Sequence, residues 1–253
     1  MTIHTVLQNS KIPIVETEIL LSAVLKKDRS FINSFPETEL TRTQQLKIKD
    51  FLDRRVKNEP IPYIVGFKDF FGLKFLVDQN VLIPRPETET LVEKLLTYCS
   101  KQENKALTVI DIGTGSGCIA ITLAVKNPNL NIIASDISPK ALEIASKNAK
   151  LHRVENKISF VQSNLLEKID EKVDVIAANL PYIPTANWEK LPKEIKNFEP
   201  KIALDSGENS MPIYKKLFGQ AKSKLNKTGR IFYEIDGEII QVSAADLAET
   251  LPE

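Results

Sequence analysis

The chain has 253 residues, enough for one large domain beside a smaller one. Its 34 Lys and Arg against 33 Asp and Glu leave a formal charge of +1, which disfavours a protein that lives on nucleic-acid phosphates. A hydrophobic share of 42% with 26% charged residues excludes wholesale disorder.

Two cysteines, Cys99 and Cys118, cannot build a disulfide scaffold, and reduced thiols suit the cytoplasm. The two histidines, His4 and His152, stand apart from both, so no metal site is expected. No apolar run is long enough to span a bilayer, and the start carries no basic region followed by an apolar stretch. A cytoplasmic protein without a membrane partner is expected.

Residues 1–58 read as a small helical bundle. Ile19, Leu20, Ala23 and Val24 recur at helical spacing. Ile48, Phe51, Leu52 and Val56 do so again after Thr41 and Thr43, both suited to capping. Polar breaks at 26–28 and 35–37 separate the helices. From Glu59 the texture changes. Pro60, Pro62 and Gly66 end the helical pattern, and 59–84 reads as a connecting segment with a hairpin. Its strands are expected at 74–77 and 81–83 around a turn at 78–80.

The remainder, 85–253, reads as one domain. After Pro84-Arg85-Pro86 a helix begins, with Leu91, Val92, Leu95, Leu96 and Cys99 on one face. Glu87 and Glu89 fall in its first turn, where the helix dipole favours negative charge. Strands then alternate with helices: 107–112, 131–135, 158–161, 173–178 and 230–235 are apolar and β-branched, with helices at 119–125 and 141–151. That alternation predicts an α/β fold, a doubly wound, Rossmann-like, mostly parallel sheet.

Asp111-Ile112-Gly113-Thr114-Gly115-Ser116-Gly117 follows the first of these strands and opens a helix. Glycines let the backbone turn sharply and let a ligand lie against the main chain. Asp136 ends the next strand, in position to accept hydrogen bonds from ribose hydroxyls. A dinucleotide site would need glycine at position 118, which is Cys118. The D-x-G-x-G-x-G spacing instead resembles the first motif of S-adenosylmethionine-dependent methyltransferases.

Asn179-Leu180-Pro181-Tyr182 closes the 173–178 strand, at the carboxyl edge beside the glycine loop. As a plain turn, Pro181 would stop the ladder and Asn179 would cap it. As a site, it suits an amide or aromatic amino nitrogen, whose delocalised lone pair makes it a poor nucleophile. An Asn oxygen and a nearby main-chain carbonyl can accept its two N–H bonds and aim the nitrogen at a methyl group. Pro181 stiffens the turn, and Tyr182 can pack on a planar amide. No Ser–His or Cys–His pair accompanies the motif, which fits direct transfer.

With these motifs in order, the chain resembles the release-factor glutamine methyltransferases (the HemK/PrmC family) from about residue 15 to about 241. Residues 16–25 look like that family's helical recognition domain. Residues 62–66 and 71–75 look like its connecting hairpin, and 82–89 like the segment before its cofactor fold. Glu199-Pro200, Ala203-Leu204 and Gly207 match a later loop. The resemblance implies methylation of the side-chain amide of the glutamine in the GGQ motif of peptide-chain release factors, with S-adenosylmethionine as cofactor. It implies that Gly113, Thr114, Gly115, Ser116, Gly117, Asp136, Asn164, Leu165 and Asn179 hold the cofactor. Asn179, Leu180, Pro181 and Tyr182 would hold the substrate, with Asn179, Pro181 and Tyr182 as the catalytic set. The partner would be the GGQ-containing domain of a release factor, met by a monomer that needs no nucleic acid. Leu180 stands where the family usually has proline, and Asn164 where it usually has an acidic residue.

Beyond the 230–235 strand, the family fold normally adds a helix and an antiparallel pair of strands, about thirty residues at ordinary element lengths. Fewer remain here, so 241–253 is expected to form one short helix or an irregular tail, leaving the last strands incomplete and an edge open. Two other readings stand beside the main one: an amino-methyltransferase acting on DNA or RNA bases, and a degenerate cofactor-binding module.

Overall fold

A computed structural model describes residues 1–102 and 106–248. They form two compact units: Met1–Phe67 with Pro192–Phe198, and Lys68–Leu191 with the chain from Glu199 onward. In chain order, the first unit opens with α1 (Ile3–Gln8), α2 (Ile14–Leu25), α3 (Arg29–Ser34), α4 (Arg42–Val56) and α5 (Ile61–Val65). Then follow β1 (Phe67–Phe70), β2 (Leu73–Leu76), α6 (Pro86–Ser100), β3 (Thr108–Ile112), α7 (Cys118–Lys126), β4 (Asn131–Asp136), α8 (Pro139–Leu151) and β5 (Ile158–Gln162). The chain continues through β6 (Val173–Asn179), α9 (Lys193–Phe198), α10 (Met211–Lys224), β7 (Leu225–Ile235) and β8 (Glu238–Ser243).

In the first unit, capping sets the helix starts. Asp28 accepts from the Phe31 N–H to open α3, and Thr41 with Gln44 forms a reciprocal capping box at α4. Thr41 is therefore the cap, and Thr43 lies inside the helix. Ile3, Leu20, Leu21, Ile32, Ile48 and Phe51 fill the core. Pro60 and Pro62 do not end the helical pattern as expected. Pro60 caps α5, Pro62 sits in its first turn where a missing N–H costs nothing, and Gly66 closes it at φ 86°. The unit also runs past residue 58 and takes in α9, which the sequence did not suggest. Arg55 gives the reason. Its guanidinium donates to Glu16 of α2 at 2.6 and 2.9 Å and to Glu194 of α9 at 3.0 Å.

In the second unit a six-stranded sheet runs β5-β4-β3-β6-β7-β8, parallel except for the last pair. Alternate side chains of the central strands point to opposite faces. Val109, Ile132, Val175 and Phe232 pack under α6 and α7, whereas Ile110, Ile133, Ile176 and Ile231 pack under α10. The chain winds one way from β3 to β5 and the other way from β6 to β7. A crevice opens where the direction switches, outside the carboxyl ends of β3 and β6.

Two expectations are corrected here. The hairpin is β1 and β2 around Phe71-Gly72, both at positive φ (51° and 73°), the geometry that two-residue hairpin turns favour. Residues 81–83 form no strand, because the Ile83 N–H is spent on the Glu199 carboxylate instead of a ladder. The 78–80 turn does form, with the Asn80 N–H donating to Asp78 Oδ1 at 2.8 Å. Nor is 241–243 a helix or tail. It belongs to β8, which pairs antiparallel with β7 across Asp236-Gly237, again at positive φ (52° and 78°). Residues 249–253 of the expected tail lie outside the described residues.

Candidate active site

The loop between β3 and α7 is held from both ends. Asp111 is fully buried, and its Oδ2 accepts from Thr114 Oγ1 at 2.6 Å and from the Ala120 N–H at 3.2 Å. Its Oδ1 has no partner among the described residues, and burial pushes its pKa up to about 6. From the other side, the Asn148 amide of α8 donates to the carbonyls of Ser116 and Leu76, at 2.8 and 2.9 Å. Gly117 lies against α8 so closely that a Cβ there would meet Ala145 Cβ at 3.2 Å. Gly115 faces open space, since an added Cβ would meet only the Gly113 carbonyl, at 3.9 Å.

Asp136 ends β4 across from this loop. One carboxylate oxygen accepts from the Gly115 N–H and the other from the Ser138 N–H, both at 2.9 Å. Burial raises its pKa, and these N–H groups oppose the rise. The loop and Asp136 border a cleft of about 280 Å³. Gly113, Gly115, Asp136, Asn164, Leu165, Asn179, Leu180 and Pro181 line it, so most of the expected site residues converge. Thr114, Ser116, Gly117 and Tyr182 are not on its walls. The first two are buried behind the loop, Gly117 caps α7, and Tyr182 is half-buried beyond the turn.

Two aliphatic side chains, Ile137 and Ile202, line the cleft while half or more exposed (50% and 60%). Asn80, Val81, Leu82, Ile202, Ala203 and Asp205 complete the walls, and the segment after Leu82 is braced by Glu199. Its buried carboxylate accepts from the Ile83 N–H at 3.1 Å and pairs with Arg85.

At the end of β6 the Asn179 side chain enters the cleft wall. Its Nδ2 donates twice, to Thr88 Oγ1 of α6 and to Glu234 Oε2 of β7, both at 2.9 Å. Its Oδ1 receives no hydrogen bond among the described residues. Thr88, Glu234, Asn148 and Glu199 were not singled out from the sequence as site residues. Thr88 and Glu199 do lie in segments that carried the family resemblance, which was their one available signal.

Residues 103–249 match the family described as a methyltransferase domain, and residues 4–66 match the PrmC N-terminal domain. The release factor glutamine methyltransferase of Koribacter versatilis is 40% identical over 225 residues, covering 88% of this chain and 79% of that protein. The Bacillus cereus protein of the same name is 37% identical over 222 residues, covering 86% and 78%. That of Lactococcus lactis is 41% identical over 202 residues, covering 78% and 73%. The chain belongs to the release factor glutamine methyltransferase family.

It is thus a methyltransferase, of a family whose cofactor is S-adenosylmethionine. The residues of the cleft suit that molecule. Gly115 lines the cleft without a side chain, so a ligand can lie against the main chain there. The Asp136 carboxylate keeps lone pairs for hydroxyl donors, and Ile137 and Ile202 offer apolar sides to a flat heterocycle.

Proposed function

We propose that this chain methylates the side-chain amide nitrogen of the glutamine in the GGQ motif of peptide-chain release factors. The observation that carries the proposal is the Asn179 carboxamide. Both of its N–H bonds are spent on Thr88 and Glu234, and its oxygen is left for a donor in the cleft. A primary amide brings such a donor. When bound, S-adenosylmethionine supplies an electrophilic methyl group. The task left to the protein is to hold a weakly nucleophilic nitrogen in line with it.

Accepting an N–H bond fixes the plane of the amide and favours the positive charge that develops on nitrogen during transfer. Pro181 holds the turn that carries Asn179, and Leu180 packs its side chain over the glycine loop. Because the residue at 180 offers the site only main-chain polar groups, leucine can replace proline there without loss of a hydrogen bond. Asp136 would take the ribose hydroxyls, and Gly113, Gly115, Asn164 and Leu165 would line the rest of the cofactor.

We assign release-factor recognition to the helical unit, Met1–Phe67 with Pro192–Phe198, and methyl transfer to the unit that holds the sheet. The activity belongs in the cytoplasm, where release factors work, and asks for a monomer without nucleic acid.

The test is transfer of a labelled methyl group to a release factor, to the same factor with its GGQ glutamine replaced by alanine, and to DNA. Label is expected on the intact factor alone. Label on DNA, or on no acceptor at all, overturns the proposal. Asn179→Ala should lower the transfer rate by roughly 10²–10³ while leaving cofactor affinity unchanged, because the lost oxygen touches the acceptor.

A further inference from the structure

On the functional reading above, we propose that Glu234, acting with Thr88, is the positioning residue that turns the Asn179 oxygen toward the acceptor amide. The two ends of an Asn carboxamide have nearly the same shape but opposite hydrogen-bonding sense. Presented oxygen-first, the group receives a substrate N–H. Presented nitrogen-first, it sets donor against donor. Neither the β6 backbone nor Pro181 distinguishes the two, so something else must.

Two acceptors ring the Asn179 NH₂ and give it a direction. A carboxylate can only accept, so the group 2.9 Å from Glu234 Oε2 must be the Asn179 NH₂. Thr88 Oγ1 receives the second N–H at 2.9 Å. A hydroxyl can serve either end of an amide, so the carboxylate sets the orientation and the Thr88 bond agrees with it.

The ring is built from elements that cannot drift. Asn179 and Glu234 are register partners in the β6–β7 ladder, and Thr88 lies in the first turn of α6. Thr88 and Glu234 are 3% and 2% exposed. The Tyr214 hydroxyl donates to the Glu234 carbonyl at 2.8 Å and fixes the strand at that point.

Stability alone does not ask for this carboxylate. Glu234 is buried and makes no ion pair among the described residues. An apolar residue of similar size would avoid the desolvation cost. The charge is used to set a direction.

The test measures single-turnover transfer to a release factor, with cofactor affinity by calorimetry as the check that each variant is folded. In Glu234→Gln the new amide can offer either end to Asn179, so the enforced direction is lost. Transfer should slow at least about twofold, since the carboxamide then populates both orientations, at unchanged cofactor affinity. Thr88→Val should slow it in the same way, and Thr88→Ser, which keeps the hydroxyl, should restore it.

The decisive variant is a swap. Asn179→Asp sets a second carboxylate against Glu234 and should be slower than Glu234→Gln. In Asn179→Asp combined with Glu234→Gln, the glutamine NH₂ donates to the new aspartate, whose other oxygen again faces the acceptor. The pair should recover at least about tenfold over Asn179→Asp alone, within the range a misplaced contact spans. Wild-type transfer by Glu234→Gln, or a double variant no faster than Asn179→Asp, overturns the positioning role while leaving the functional reading intact. If the unaltered chain transfers no label to a release factor, the functional reading itself fails and the positioning role falls with it.

Discussion

Asp111, one residue before the end of β3, and Asp136, at the end of β4, lie on neighbouring strands, yet their carboxylates do different work. Asp136 borders the cleft and keeps acceptor capacity for a ligand, whereas Asp111 is sealed beneath the glycine loop with one oxygen unpartnered. The second arrangement has a consequence for stability. The pKa of Asp111 is raised by burial from 3.8 to about 6, so the fold prefers its protonated form. Its contribution is fully present below the unfolded value near 3.8. It is lost as pH rises through about 6, because the unfolded chain ionises freely and the folded one does not. About two pKa units correspond to something on the order of 3 kcal/mol. Urea unfolding of the wild type and Asp111→Asn at pH 4 and pH 7 isolates this group, since the other carboxylates cancel. The wild type should lose ground to the variant between those pH values. A difference independent of pH would refute the assignment.

What was legible at this scale follows from distance along the chain. Gly113, Gly115, Asp136 and Asn179 announce themselves because each stands at a strand end in a local pattern of residue types. Thr88, Glu234 and Asn148 do not. Their roles exist only once α6, β7 and α8 are brought against β6 and the loop, and a lone Thr, Glu or Asn has many ordinary uses in a sequence.

The same contrast holds for elements. The run β3–α7–β4–α8 was readable because apolar period, glycine loop and caps all agree. The helix α5 is masked by Pro60 and Pro62, which read as breakers although the first helical turn accepts proline. β8 is a short strand that no chemical motif marks. The Asp236-Gly237 pair, flanked by alternating apolar residues, was itself a hairpin signal. The first hairpin was displaced because Phe71-Gly72 turns at a residue, Phe71, that rarely takes positive φ.

One side chain ties three of these elements together. Asn148 of α8 accepts from the Leu76 N–H at 2.7 Å and donates to the Leu76 and Ser116 carbonyls, joining β2, α8 and the glycine loop. It is fully buried, so Asn148→Ala leaves three main-chain polar groups without their partner, the Ser116 carbonyl in a buried position. The expected cost is about 2–4 kcal/mol, measured by denaturant unfolding, with weaker cofactor binding because Ser116 is released. A variant as stable as the wild type would mean that water replaces the amide without loss.

For the whole molecule, the division into units decides how recognition can be separated from transfer. A cut at residue 58 would run through the first unit, removing α4 and stranding α5. It would also remove Arg55 and leave Glu194 of α9 without its ion pair. The cleaner cut follows Phe67 and replaces 192–198 with a Gly/Ser linker, because those residues pack with the helices and not with the sheet. The remaining unit keeps the sheet, the glycine loop, Asp136 and the Thr88–Asn179–Glu234 ring. Cofactor affinity should therefore survive, and calorimetry on the truncated chain measures it directly. Transfer to a folded release factor should fall sharply if the helical unit supplies recognition. Transfer to a short peptide carrying the GGQ motif, too small to need that unit, should be equal for the truncated and intact chains. Equal rates on the folded factor would remove the helical unit from recognition. An intact chain that favours the peptide over the folded factor would count against it just as firmly.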